Sequence, residues 1–177
     1  MKDRTLELFG PTMVETTLPK IGVIDGANAF LRLRQNNFLG GSQAIVVREA
    51  MRGEEAQYFR EKMVELDKLI ATMPVNYEQD GLGDQAIAYL HYFAGSCANW
   101  WITERDKGAP EMAQSQAFGL ADLFGDGGEL GYISIPEILA AGGELDFHFA
   151  PCSLREVRAK RHTSTHGAFD RRWVPLE

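Results

Sequence analysis

The sequence predicts an α+β fold: a mainly antiparallel sheet of about five strands, packed by one long helix and several short ones. Three observations carry that expectation. After residue 85, short runs rich in aromatic and β-branched residues follow one another with turn residues between them: NWWITERD, QAFGLADLF, ELGYISIPEIL and ELDFHF. Glu54 to Met73 instead repeats its apolar residues at three- and four-residue intervals, the spacing of one helix face. The link Gly95 to Ala98 between two aromatic runs is of hairpin length, which makes its neighbours antiparallel.

Taken in order, residues 1–41 are mixed. Ile21–Ile24 and Phe30–Leu33 read as short strands, with Asp25-Gly26 and Asn36-Asn37 supplying turn chemistry. Ser42 caps an expected helix through Met51, ended by Gly53, although Ile45-Val46-Val47 suits a strand equally well. In the long helix Phe59, Met63, Leu66, Leu69, Ile70 and Met73 form one stripe. Glu54 and Glu55 favour its positive end and Pro74 stops it. A polar link, Asn76–Gly83, leads to strands at Ala86–Ala94, Asn99–Asp106, Gln116–Leu123, Leu130–Ser134 and Leu145–Phe149. Pro136–Ala141 reads as a short helix capped by Ser134, and Ser153 caps a last helix through Lys160 or Arg161. The chain thus divides into an N-terminal helical and mixed layer (1–83), a sheet domain (84–161) and a basic tail (162–177).

At 177 residues and 45% hydrophobic, the chain is long enough to fold without disulfides or metal. Its two cysteines, Cys97 and Cys152, lie outside any Cys-x-x-Cys spacing. No leader of signal-peptide type and no long apolar run is present, so a soluble, cytoplasmic protein without a membrane partner is expected. Charge is uneven. Twelve Lys and Arg stand against twenty-two Asp and Glu before residue 155, and six against three from there on. An acidic body of this kind opposes non-specific approach to nucleic acid.

No cofactor signature occurs. The Leu39-Gly40-Gly41-Ser42 stretch lacks the lysine of a phosphate loop, and neither a Rossmann glycine pattern nor a Gly-x-Ser-x-Gly elbow is found. For acid–base or metal-dependent hydrolytic chemistry the strand-end groups Glu104, Asp122 and His148 are the candidates, with Asp106, Asp126 and Glu129 nearby in sequence. Solvated turns, caps and an Arg105 partner are the structural alternative. His148, Cys152, His162 and His166 have zinc-ligand types at four-residue spacings but no second cysteine. For binding, Tyr92, Trp100 and Trp101 are the candidates. Neighbouring strand residues point to opposite faces, so one Trp and a Tyr face outward if helices cover only one side. Arg158 and Arg161, three apart near a helix C-terminus, can contact phosphate or simply favour the helix dipole.

At Trp101-Ile102-Thr103-Glu104, Phe118-Gly119, Leu130-Gly131-Tyr132-Ile133-Ser134 and Asp146-Phe147-His148-Phe149 the chain resembles a plasmid- and phage-borne family catalogued as domain of unknown function 2958. The likeness spans about residues 86–160. It implies an α+β fold and a mobile-element setting, and supplies no activity, substrate or catalytic residue. Together with the acidic body and the missing catalytic constellation, it leads to the expectation of a non-enzymatic accessory protein. Such a protein acts by binding a host or element-encoded protein, and interference with restriction or another defence is one such use. The alternatives are a small enzyme built on the strand-end carboxylates and His, and a nucleic-acid binder using the basic tail.

Overall fold

In the computed structural model residues 20–108 and 114–166 are described, with side chains up to Arg161. Helices α1 (Val23–Gln35), α2 (Gly41–Ala50) and α3 (Ala56–Thr72) come first. A short 3-10 turn follows, then β1 (Ile87–Ala88), β2 (Leu90–Ala94), β3 (Ala98–Glu104), β4 (Ala117–Asp122) and β5 (Glu129–Ile133). The chain continues through α4 (Ile135–Ala140), β6 (Glu144–Leu145), β7 (Cys152–Ser153) and α5 (Leu154–His166). Five strands form one antiparallel sheet in the order β5-β4-β3-β2-β6, and β1 pairs with β7 in a separate two-stranded ladder. This is the α+β class expected from the pattern of aromatic runs and turns.

The strands read from Ile21–Ile24 and Phe30–Leu33 are in fact the single helix α1. Gly26, Ala29 and Leu33 are its buried residues, at helical spacing, and that tertiary stripe overrides the local β propensity of Val23 and Ile24. Asn36-Asn37 does turn the chain, but as a helix stop. The Phe38 amide donates to Leu33 O and the Asn37 amide to Arg34 O, with Asn37 in the left-handed region at φ 56°. α2 and α3 lie close to their expected places, but α3 begins at Ala56, which leaves Glu54 and Glu55 outside its first turn. The Leu145–Phe149 strand is shorter than expected. β6 stops at Leu145, because the Asp146 carboxylate accepts the His148 amide at 2.9 Å and turns the backbone away.

Both sheet faces carry a core. On one, Leu33, Val47, Met63, Leu66 and Ile70 from the three N-terminal helices, with Leu39 from the α1–α2 link, pack on Leu90, Tyr92, Ile102, Ala117 and Leu145. Residues before and after position 84 therefore share one hydrophobic cluster. On the other face Leu154 and Val157 of α5 cover Ala86, Ala88, Trp101 and Leu120. The β6 edge is not left bare: the Gln43 side chain donates to Leu145 O at 2.7 Å and accepts its amide at 3.1 Å, standing in for a further strand. Among the described residues no helix is long and apolar enough to cross a membrane.

Candidate binding cavity at the uncovered end of the sheet

α5 covers only part of its face. Phe118, Leu120 and Asp122 alternate onto that side of β4, and Leu130 and Tyr132 of β5 pair with Leu120 and Phe118. Leu120 lies under α5, but Leu130 (42% exposed) and Tyr132 (57% exposed) do not. Between this open end and the 76–83 loop lies a cavity of about 500 Å³. Asn76, Tyr77, Asp80, Glu104, Phe118 and Tyr132 are among its lining residues.

A β-bulge places Glu104 here. The β3/β4 register runs Trp101↔Leu120 and Ile102↔Gly119, then shifts so that Glu104 rather than Thr103 faces Phe118. Without the extra residue, Glu104 would alternate onto the Ile102 face, among the helix-side apolar residues; the bulge turns it to the cavity side instead. There the carboxylate, 4% exposed, accepts the Tyr77 amide at 2.9 Å on one oxygen and the Gln79 amide on the other. Glu104 thereby orders the loop. The Gln79 side chain adds a second tie: it donates to Ile87 O and Thr103 O at 2.9 and 2.8 Å and accepts the Ile87 amide at 2.7 Å. The loop is anchored further at its start, where Val75 forms a parallel bridge with Arg105.

Tyr77 sits at φ 77°, in the left-handed region that a bulky residue rarely adopts, and its hydroxyl lies 2.7 Å from that of Tyr132. That hydrogen bond is the main cause that pushes the Tyr132 phenol above its ordinary value. Partial desolvation and the charges of Tyr77, Glu104 and Asp80 act in the same direction. The Tyr132 ring meets Phe118 edge to face, with centroids 5.5 Å apart. Asn76, 9% exposed, donates through Nδ2 to Gln116 O at 2.6 Å, and its buried Oδ1 has no hydrogen-bond partner among the described residues.

The other residues singled out in the sequence lie elsewhere. Asp122 is at the far end of the β3/β4 ladder from Glu104, about 13 Å along β4 from the Phe118 pairing. Its Oδ1 accepts the Gly125 amide at 2.7 Å, and Oδ2 lies 2.9 Å from Arg161 Nη2 as an ionic contact without hydrogen-bond alignment. His148 follows β6 at the opposite edge, with Nδ1 3.4 Å from the Tyr58 hydroxyl of α3. The catalytic candidates Glu104, Asp122 and His148 therefore do not converge on one pocket. Cys152 pairs with Ala88 between β1 and β7, with its thiol pushed up chiefly by burial. The His162 and His166 side chains lie outside the described residues. Among those described, no three His, Cys, Asp or Glu side chains stand close enough to hold a metal ion.

Tyr92 and Trp101 are not presented to solvent, because helices cover both sides of the sheet centre. Tyr92 is 0% exposed and gives its hydroxyl hydrogen to Phe38 O at 2.9 Å; Trp101 lies under α5, and Trp100 is partly buried against the helix-side core. Arg158 and Arg161 turn inward. Arg158 donates to Asp84 at 3.1 Å and to Gly127 O, while Arg161 stands 5.1 Å over the Trp101 ring beside Asp122. They fasten α5 and the Gly-rich β4–β5 turn to the sheet rather than form a phosphate-facing patch.

One cluster escapes sequence reasoning. His91 Nδ1 lies 3.1 Å from Asp146 and Nε2 2.9 Å from Asn99 Oδ1, with the ring stacked on Trp101. An Asp–His pair orients an imidazole for base catalysis when the second nitrogen meets a nucleophile. Here that nitrogen meets an amide whose own Nδ2 is bound to Cys97 O at 2.7 Å, so the arrangement is a cross-strand tie. Comparison of the chain with protein-family models, with curated proteins and with solved structures finds no match, and the family resemblance rests on the quoted motifs alone.

Proposed function

We propose that the protein is a non-enzymatic accessory factor that works by binding another protein, and that the open end of the sheet is its contact surface. The observation that supports this most is the half-covered second face: Leu130, Tyr132 and Tyr77 stand exposed around a sizeable cavity, next to a region that α5 seals. Exposed apolar and aromatic residues beside a concavity are the usual anchors of protein–protein contact. The carboxylates and imidazole that would serve an enzyme are instead engaged in turns, ion pairs and cross-strand ties at separate places. The motif resemblance supports a role in a mobile element, with a host or element-encoded protein as partner and interference with host defence as its use.

The test places a photo-crosslinking amino acid at Tyr132 and, as a control, at Val46 on the exposed outer face of α2. Adducts to one protein from position 132 and none from position 46 are expected in the producing cell. Adducts from 46 alone would move the interface to the helices, and none from either site, at low and high salt, would remove the protein-binding reading. The nucleic-acid reading is separated by a gel shift at low salt, where phosphate contacts are strongest; no shift is expected.

A further inference from the structure

We propose that the cavity between the 76–83 loop and the Phe118–Tyr132 end of the sheet is a receptor for an arginine side chain carried by the bound protein, a reading that rests on the protein-binding role above. Among its described lining residues only Asp80 and Glu104 bear charge, and no Lys, Arg or His is among them. A donor-only, cationic group suits such a lining. Glu104 already accepts two backbone amides, yet a carboxylate offers about four lone-pair sites.

The aromatic wall selects the shape of the cation. Phe118 and Tyr132 meet edge to face, and ring faces attract cations within about 6 Å of the centroid. A guanidinium is planar, stacks on rings and presents five donors, whereas an ammonium is a compact, strongly hydrated point charge. The volume, about 500 Å³, exceeds what a bare ion fills and leaves room for the aliphatic stem and flanking backbone, with Leu130 at the rim as an apolar contact. A metal ion fits poorly, since among the described residues no three His, Cys, Asp or Glu side chains stand close enough to hold one. Phosphate-bearing ligands meet only like charge.

The probe is acetyl-Gly-Arg-Gly-amide, titrated into the full chain and followed by the NMR signals of Phe118, Leu130 and Tyr132. Saturable shifts at those residues are expected. Binding should weaken at least about fivefold when lysine replaces arginine, or the uncharged isostere citrulline does, given the modest size of single exposed charge and ring contacts. Asp80→Asn and Tyr132→Leu, both on exposed side chains that leave the Glu104 ties intact, should weaken it by about the same factor. Equal binding of the citrulline peptide, equal binding of the lysine peptide, or no shift with the arginine peptide each overturns the inference. If crosslinks from position 132 still capture a protein in that event, protein binding survives and only the arginine receptor falls; loss of both removes the parent reading as well.

Discussion

Gly119 shows how little room the sheet leaves at the bulge. A Cβ built there would stand 2.0 Å from Trp101 O and 3.0 Å from Ile102 Cα, both backbone atoms that cannot step aside. Gly119→Ala should therefore cost about 3 kcal/mol or spread the β3/β4 ladder, read as a lowered denaturation midpoint. Tyr92 makes a different prediction. Burial pushes its phenol far above the ordinary 10.0, so the folded form keeps a proton that the unfolded form releases. Its contribution is complete below pH 10.0 and declines as pH rises further. Tyr92→Phe should lose about 1 to 2 kcal/mol at neutral pH, since Phe38 O is left without its donor. The variant should also flatten the alkaline fall in stability; an unchanged alkaline slope would show that another group governs it. At this scale the sequence marked Glu104 by its strand-end position. It could not show that Tyr77 occupies φ 77° or that Gln79 spans two strands, because both depend on non-local contacts, with Thr103 and Glu104 more than twenty residues away.

Among the elements, the best anticipated are those with chemistry written into adjacent residues. Ser134 caps α4 and Ser153 caps α5 as expected. At α5 the Glu156 carboxylate reaches back to the Ser153 amide at 2.9 Å while Ser153 Oγ accepts the Glu156 amide at 3.3 Å, closing a capping box. Those bonds to Ser153 hold the Glu156 carboxyl below its ordinary range. The cap is thus fully formed above the unfolded carboxyl value of 4.5 and weakens as pH falls through the lower folded value. Ser153→Ala should cost about 1 kcal/mol, seen as faster amide exchange in the first turn of α5, and should blunt the acid-induced fraying of that turn. α1 escapes the sequence for the opposite reason: its β-branched residues and Asp-Gly pair carry local strand and turn signals, while its buried stripe gains meaning only against α3 and the sheet. There Gly26 lies so close to Arg60 that a Cβ would meet the Arg60 side chain at 2.6 Å.

For the molecule as a whole, a shared core ties the N-terminal helices to the sheet. Removing residues 1–83 would lay bare Leu90, Tyr92, Ile102 and Leu145. The piece 84–177 is accordingly expected to show no cooperative thermal transition, whereas the full chain unfolds in one step by calorimetry and circular dichroism alike. A sharp transition in the isolated piece would show that the sheet and α5 suffice. The sequence by itself determined what short-range chemistry can encode: the α+β class, the strand pairings joined by short turns, the caps and the acidic balance. Tertiary structure alone decided which side chains meet. It buried the aromatic residues that looked outward-facing, separated the three groups that looked catalytic, and left open the Phe118–Tyr132 end of the sheet. The reason is physical: period-two alternation tells which residues share a face, but how far a helix such as α5 reaches across that face is set by long-range packing and by the ion pairs that pin it.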